Sequence, residues 1–91
     1  MPRYLIERNF ADGLSIPMNA EGRHAVAGVV ANNAEYGVTW IQSYVSPDRR
    51  NTFCIYDAPA PEVIRKVAER NGLPVGRITE VSVLDPYFYQ P

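Results

Sequence analysis

Acidic, amide and aromatic side chains alternate with apolar residues along the predicted strands of this chain and suggest a small binding site. Alternate residues of a strand share one face of a sheet, so this spacing predicts that the polar and aromatic groups lie together. Aromatic rings and phenol hydroxyls are typical of pockets that bind small molecules. The candidate ligand-binding residues are Glu7, Trp40, Gln42, Tyr44, Tyr56 and Glu80.

The two acids of this set, Glu7 and Glu80, are also candidate ligands for a divalent metal. They belong to the first and last predicted strands, which we expect to be neighbours. Two carboxylates that share a partly desolvated surface recruit a cation, raise the pKa of one member, or pair with arginine. A polar interface between two chains, with each acid paired to an arginine, is the alternative. His24 is the one histidine of the chain, which excludes a histidine-rich metal site within a single copy.

Two further residues have reactive groups. Cys54 could be a nucleophile, but no histidine is predicted near it, and a small buried apolar residue is the competing interpretation. Pro2 follows the initiator methionine. If Met1 were removed, the free proline would resemble the general base of the tautomerase superfamily, with Arg3 or Arg8 holding a substrate carboxylate.

Local signals divide the chain into strand, helix, strand, strand, helix and strand. Alternating residues predict strands at 4–10 and 77–84, and a hairpin predicts strands at 38–45 and 52–58. A first helix is predicted over 19–36, before Gly37. The second helix has clearer ends, because Pro61 suits its first position and Gly72 suits its C-terminal cap.

This order predicts an α+β fold, the ferredoxin-like βαββαβ sandwich. A four-stranded antiparallel sheet would carry both helices on one face, with right-handed crossovers. Residues 1–91 would form a single domain, and residues 85–91 an aromatic tail that Pro86 and Pro91 keep out of regular structure.

Alternation also assigns each strand residue to a face of the sheet. The consistently apolar residues are expected under the helices: Ile6, Phe10, Ile41, Val45, Phe53, Ile55, Val81 and Val83. The opposite, open face would then carry Leu5, Glu7, Asn9, Val38, Trp40, Gln42, Tyr44, Cys54, Tyr56, Glu80, Ser82 and Leu84. A β-bulge would invert part of this assignment.

An open face rich in aromatic residues needs a cover, and a second copy of the chain is the expected one. Aromatic residues are enriched at subunit interfaces. We therefore predict a homodimeric α/β barrel in which the two sheets face each other. The tail residues Tyr87, Phe88 and Tyr89 are expected to reach onto the other copy.

Composition limits the function classes. The formal net charge of −1 disfavours nucleic-acid binding, which relies on a basic surface. No apolar run reaches the roughly 18 residues of a membrane span. One cysteine and the lack of a signal-like segment at the start favour a cytoplasmic location.

Several stretches together resemble a known family of small bacterial proteins. They are MPRYLIER at the start, WIQSYV and FCIYDAP in the hairpin, VIRKVAERNGLPVGRITEV after it, and VLDP near the end. The family was long catalogued as a domain of unknown function and includes an actinobacterial branch that binds nickel. The resemblance implies a ferredoxin-like fold, chains paired through the sheet, and a divalent metal such as nickel as a possible cofactor.

Three function classes therefore stay open. The first is binding of a small molecule or a metal ion on the open face. The second is catalysis on a small molecule, either monooxygenase-like or dependent on Pro2. The third is a structural or interaction module without a ligand.

Overall fold

The computed structural model describes residues 1–89 and contains a four-stranded antiparallel sheet with two helices on one face. The elements are β1 (Arg3–Asn9), α1 (Ala20–Glu35), β2 (Thr39–Val45), β3 (Asn51–Asp57), α2 (Pro61–Asn71) and β4 (Ile78–Val81). The strand order is β2-β3-β1-β4, so β1 lies between β3 and β4. The predicted α+β ferredoxin-like fold is confirmed.

The helix ends follow from single residues that the sequence makes visible. Asn19 precedes α1, and its side-chain oxygen accepts a hydrogen bond from the backbone N–H of Gly22 at 3.1 Å. Pro61 occupies the first turn of α2. Gly37 and Gly72 follow the two helices with φ of +69°, the left-handed conformation that glycine adopts without steric cost.

The start of α1 lies directly against the preceding loop at Gly22. A Cβ atom at this position would stand 1.7 Å from the carbonyl oxygen of Pro17. Glycine is thus the residue that permits α1 to begin here, and the contact holds the loop before α1 against the helix.

The dry core lies under α2, and the space under α1 is less completely filled. Ile6, Ile64 and Val67 are at most 1% exposed and pack together with other residues of the core. The buried residues of α1, by contrast, are Gly22 and Asn33, which offer little apolar volume. A helix that buries such small or polar side chains leaves space between itself and the sheet.

The register of the strands corrects the predicted faces of β3. Cys54 pairs with Ile6 and Tyr56 pairs with Tyr4, and all of them are buried on the helix side. The opposite side chains, Phe53 and Ile55, therefore point to the open face. The hydrophobicity pattern gave the wrong face because both sides of β3 carry residues that can be buried.

The face assignment of β2 and β4 is corrected in the same way. A bulge lies between Trp40 and Gln42, so Trp40 faces the helices while Gln42 and Tyr44 face away from them. The open face also holds four residues that were predicted under the helices or in the core: Ile41, Ile55, Val81 and Val83. Val38, predicted on the open face, is 3% exposed in the core. The predicted inward positions of Ile6, Phe10 and Val45 are confirmed.

The C-terminal part differs from its prediction in two respects. Strand β4 ends at Val81 rather than continuing to residue 84. Pro86–Tyr89 form a short 3₁₀ helix, so the expectation of an irregular tail is wrong for these residues. A proline at the first position of a helical turn costs no hydrogen bond, which explains this difference. Residues 90 and 91 of the predicted tail lie outside the described part.

None of the helices within residues 1–89 has the length and apolar character that crossing a membrane would require.

Candidate ligand-binding pocket under helix α1

A pocket of about 540 Å³ opens between α1, the loop before it and the helix side of the sheet. Its volume falls in the range of about 300–1,000 Å³ that is usual for small-molecule sites. Most of its wall is apolar, and Met18 and Val45 form part of an exposed rim. The apolar lining residues are Phe10, Leu14, Ile16, Met18, Ala25, Val26, Val29, Trp40, Val45 and Leu73.

Arg8 provides a buried positive charge in the wall of this pocket. It lies on β1 with the same inward parity as Ile6, and 4% of its surface is exposed. One terminal nitrogen donates to the carbonyl oxygen of Pro74 at 2.8 Å, and the other to the Tyr56 hydroxyl at 3.4 Å. The guanidinium carbon also lies 5.7 Å from the centre of the Tyr56 ring. These partners orient the guanidinium but do not neutralise its charge.

Tyr56 and Trp40 form the aromatic part of the wall next to Arg8. Their ring centres are 6.4 Å apart. Burial raises the pKa of the Tyr56 hydroxyl, an effect that the nearby Arg8 charge partly opposes. Tyr56 therefore stays a neutral phenol at physiological pH. The Trp40 indole N–H donates to the Ser43 hydroxyl at 2.9 Å, which leaves the Trp40 ring as an apolar surface.

Three asparagine side chains form a hydrogen-bonded cluster next to Tyr56, where α1 meets the end of α2. The amide of Asn71 donates to the side-chain oxygen of Asn33 at 3.2 Å and accepts from Asn32 at 2.8 Å. The side-chain nitrogen of Asn33 is buried and has no hydrogen-bond partner among residues 1–89. Asn33 lies close to the Tyr56 hydroxyl and opposes the rise in its pKa that burial causes. Of these asparagines, Asn71 lines the pocket.

The structure brings two of the predicted ligand-binding residues, Trp40 and Tyr56, into this pocket. They share a face as predicted, but it is the helix side and not the open face. Gln42 and Tyr44 lie on the open face, where the Gln42 amide donates to the Tyr44 hydroxyl at 2.6 Å. The predicted set is therefore divided between two sides of the sheet.

Glu7 and Glu80 are not brought together. Glu7 pairs with Phe53 on the open face, as predicted. Glu80 pairs with Tyr4, whose side chain is buried on the helix side, so the prediction that Glu80 lies on the open face is wrong. Burial raises the pKa of Tyr4, and the charge of Glu80 raises it further. The two carboxylates of one chain cannot share an ion across the sheet.

The donor groups of one chain do not fit a protein-held nickel site. Within residues 1–89, no three or more His, Cys, Asp and Glu side chains come close enough to hold a metal ion. Nickel and similar divalent ions prefer imidazole and thiolate or several oxygen ligands. His24 is exposed on α1, and Cys54 is buried beside Thr52 at 3.7 Å from its hydroxyl.

The open face of the sheet is mainly apolar, but Glu7 and Gln42 lie on it, together with an ion pair between Arg3 and Asp57. Arg3 donates to Asp57 at 2.8 and 3.2 Å, and this hydrogen bonding holds the pKa of Asp57 below its usual value. A shallow hollow on this face is lined by Arg3, Leu5, Ile41, Gln42, Ile55, Val81, Ser82 and Val83. Within the described part of the chain, no acidic residue lines the hollow, unlike the predicted site.

The predicted ligand-binding set left out Arg8, which was suggested only as a possible carboxylate partner of Pro2, although the sequence held a signal for it. A charged residue at an inward position, two residues after the buried Ile6, is the pattern of a functional or paired charge. Pro2, the alternative catalytic residue, is exposed at the other end of β1. About 20 Å of extended strand separates it from Arg8, so the two residues do not form one site.

Comparisons with known proteins agree with the fold. The family described as "Nickel responsive protein SCO4226-like" matches residues 4–81. The crystal structure of SCO4226 from Streptomyces coelicolor A3(2) superposes with a TM-score of 0.72 at 19% sequence identity. The match covers 91% of this chain and 99% of that protein. Among curated proteins, no significant sequence match is found.

Proposed function

Because this chain belongs to the nickel-responsive SCO4226-like family, yet the donor groups of residues 1–89 do not converge on a metal site, we propose that it binds a small organic molecule. The site is the pocket under α1, and the ligand is largely apolar. This placement moves the predicted binding function from the open face to the helix side of the sheet. A metal role for Glu7 and Glu80 would require donors from a second copy of the chain.

The observation that supports this proposal is the unfilled space of about 540 Å³ beneath α1. A hollow of this size with a mainly apolar lining is typical of sites that bind small organic molecules. The space arises because α1 buries Gly22 and Asn33 where α2 buries Ile64, Val67 and Ala68.

A neutral apolar probe should bind in this pocket. Trp40 is the single tryptophan of the chain and lines the pocket, so its fluorescence reports directly on the site. We expect 1-decanol to change the emission of Trp40 and to raise the melting temperature. At a concentration 100 times its Kd, a ligand stabilises the fold by about 2.7 kcal/mol.

Two valine variants of α1 distinguish the pocket from general surface binding. Val29 faces the pocket and Val30, its neighbour, is 49% exposed. Val29→Phe should fill the space and weaken 1-decanol binding at least about tenfold, which corresponds to about 1.4 kcal/mol. Val30→Phe adds the same ring outside the pocket and should leave the affinity unchanged. Equal binding by both variants would contradict the proposed site.

We also propose that a second copy of the chain covers the open face. Support comes from its exposed apolar side chains: Ile41, Tyr44, Phe53 and Val83 are each at least 37% exposed. Exposed contiguous apolar surface is characteristic of interaction sites. The tail residues Tyr87, Phe88 and Tyr89 are 68–77% exposed and would add to the contact.

A charge placed in the centre of this face should separate the two copies. Ile55 lies there beside Leu5 and Gln42. We expect Ile55→Asp to weaken dimerisation by about 100-fold or more, because an unpaired carboxylate would be buried. Sedimentation velocity at micromolar concentration measures the effect.

Val30→Asp, on the outer side of α1, provides the matched control and should leave the sedimentation coefficient unchanged. A wild-type chain that sediments as a monomer under the same conditions would contradict the proposed dimer.

A further inference from the structure

The pocket under α1 has an unbalanced charge. Among residues 1–89, its lining includes two arginines, Arg8 and Arg49, and no aspartate or glutamate. Arg49 lies at the exposed rim and donates to the carbonyl oxygen of Leu14 at 2.8 Å. Arg8 is inside. The site therefore presents positive charge to whatever enters it.

The charge of Arg8 is uncompensated within the described chain. The salt bridges found among residues 1–89 join Arg3 to Asp57 and Arg70 to Glu35, and neither includes Arg8. A guanidinium has five N–H donors, and the hydrogen bonds to Pro74 and Tyr56 use two of them. A buried charge without an opposite charge is costly, because a carbonyl group and an aromatic ring do not fully replace the favourable hydration free energy that the charge loses on burial.

We propose that the pocket selects small molecules with an apolar body and a single carboxylate, and that the carboxylate pairs with Arg8. This inference rests on the proposed function of the same pocket. The planar guanidinium and carboxylate match in a paired, two-hydrogen-bond geometry, which gives both strength and orientation. The Tyr56 hydroxyl, hydrogen-bonded to Arg8, is placed to donate to the same carboxylate.

The charge and the hydrogen-bond donors in the pocket lining suit a carboxylate better than a phosphate. A phosphate group carries more charge and more acceptor oxygens, and its sites usually supply many backbone N–H donors or several cations. Here one buried guanidinium and one phenol stand in an apolar wall. One negative charge balances one buried positive charge, while the apolar wall takes the rest of the molecule.

A pair of ligands that differ only in the head group tests the proposal. Decanoate and 1-decanol have chains of equal length, and isothermal titration calorimetry measures the affinity of each at neutral pH. We expect decanoate to bind at least tenfold more tightly to the wild-type protein. Arg8→Met should remove this preference, so that the ratio of the two affinities falls to about one. Arg49→Met, at the rim, should keep the preference, because solvent screens an exposed charge.

The outcomes separate this inference from the proposed function. If neither molecule binds, the proposed pocket function fails. If both bind with equal affinity, the pocket is a binding site and the selection for a carboxylate is wrong. If Arg49→Met abolishes the preference and Arg8→Met does not, the charge that selects the ligand is at the rim and the assignment to Arg8 is overturned.

A second measurement uses the wild-type protein alone and does not depend on the folding of a variant. Decanoate labelled with ¹³C at its carboxyl carbon reports its own pKa in the bound state by NMR. A carboxylate beside the Arg8 guanidinium should have a lower pKa than free decanoate, because the cation favours the charged form. A raised pKa, the result expected of a carboxyl group buried without a cation, would overturn the proposal.

Discussion

Gly22→Ala should lower the free energy of unfolding by about 1–3 kcal/mol, because forced overpacking of a tight contact typically costs this much. The added Cβ atom would lie 1.7 Å from the carbonyl oxygen of Pro17, and a backbone atom cannot move aside as a flexible side chain does. Either the loop before α1 or the helix itself must shift. Urea unfolding followed by circular dichroism measures the change in midpoint.

Gly28→Ala is the matched control on the same helix. Apart from its chain neighbours and the nearby backbone of α1, no atom of residues 1–89 lies within 4 Å of the Cβ position at Gly28, and the residue is exposed. Alanine there should stabilise the fold by about 0.5–1 kcal/mol, since glycine disfavours a helix interior by about that amount. The two substitutions thus have opposite expected signs. A neutral or stabilising Gly22→Ala would show that the loop before α1 does not pack against the helix as described.

The loop that Gly22 holds in place also forms part of the pocket, since Leu14, Ile16 and Met18 line it. If Gly22→Ala displaces this loop, the shape of the pocket changes, and we expect weaker binding of 1-decanol. The stability of the N-terminal part of α1 and the shape of the pocket are in this way linked by one glycine.

The order and the ends of the elements could be predicted from sequence because single residues determine them. Pro61, Gly37 and Gly72 mark helix boundaries by backbone conformation alone, independent of what the helix packs against. The element order then restricts the topology to few solutions. The βαββαβ fold followed from these local signals.

The faces of the sheet could not be predicted as well, because alternation identifies two faces without saying which is covered. Phe53 and Ile55 are more apolar than Cys54 and Tyr56, so hydrophobicity favoured the wrong side of β3. The bulge before Gln42 then reversed the parity within β2, and no residue type in the sequence marks it. The prediction that Glu7 and Glu80 lie close together was wrong because hydrophobicity also favoured the wrong side of β4, where Glu80 pairs with the buried Tyr4.

Arg8 illustrates a different limit of sequence reasoning. Charged residues are assigned to solvent by default, and this rule holds for most arginines. Arg8 departs from it because Pro74 and Tyr56, remote in sequence, supply hydrogen bonds inside the fold. Only the tertiary arrangement shows that these groups converge on one pocket wall.

Because the space under α1 is less closely packed than the core under α2, a valine-to-alanine substitution should destabilise the fold by unequal amounts in the two helices. Val67 on α2 is 1% exposed within the core, whereas Val29 on α1 faces the open pocket. Val67→Ala should cost about 2–3 kcal/mol, from about 0.8 kcal/mol for each buried CH₂-sized group and the cavity left behind. Val29→Ala should cost less than about 1 kcal/mol, because its methyl groups lack close neighbours on the pocket side.

Urea unfolding of both variants, with equal m-values confirmed, measures this difference. The comparison also bears on function, since bound 1-decanol would supply the missing neighbours of Val29. With saturating 1-decanol, the cost of Val29→Ala should rise toward that of Val67→Ala, while the cost of Val67→Ala stays constant. Equal costs without any ligand would mean that α1 packs as closely as α2, and the pocket could not then serve as the binding site.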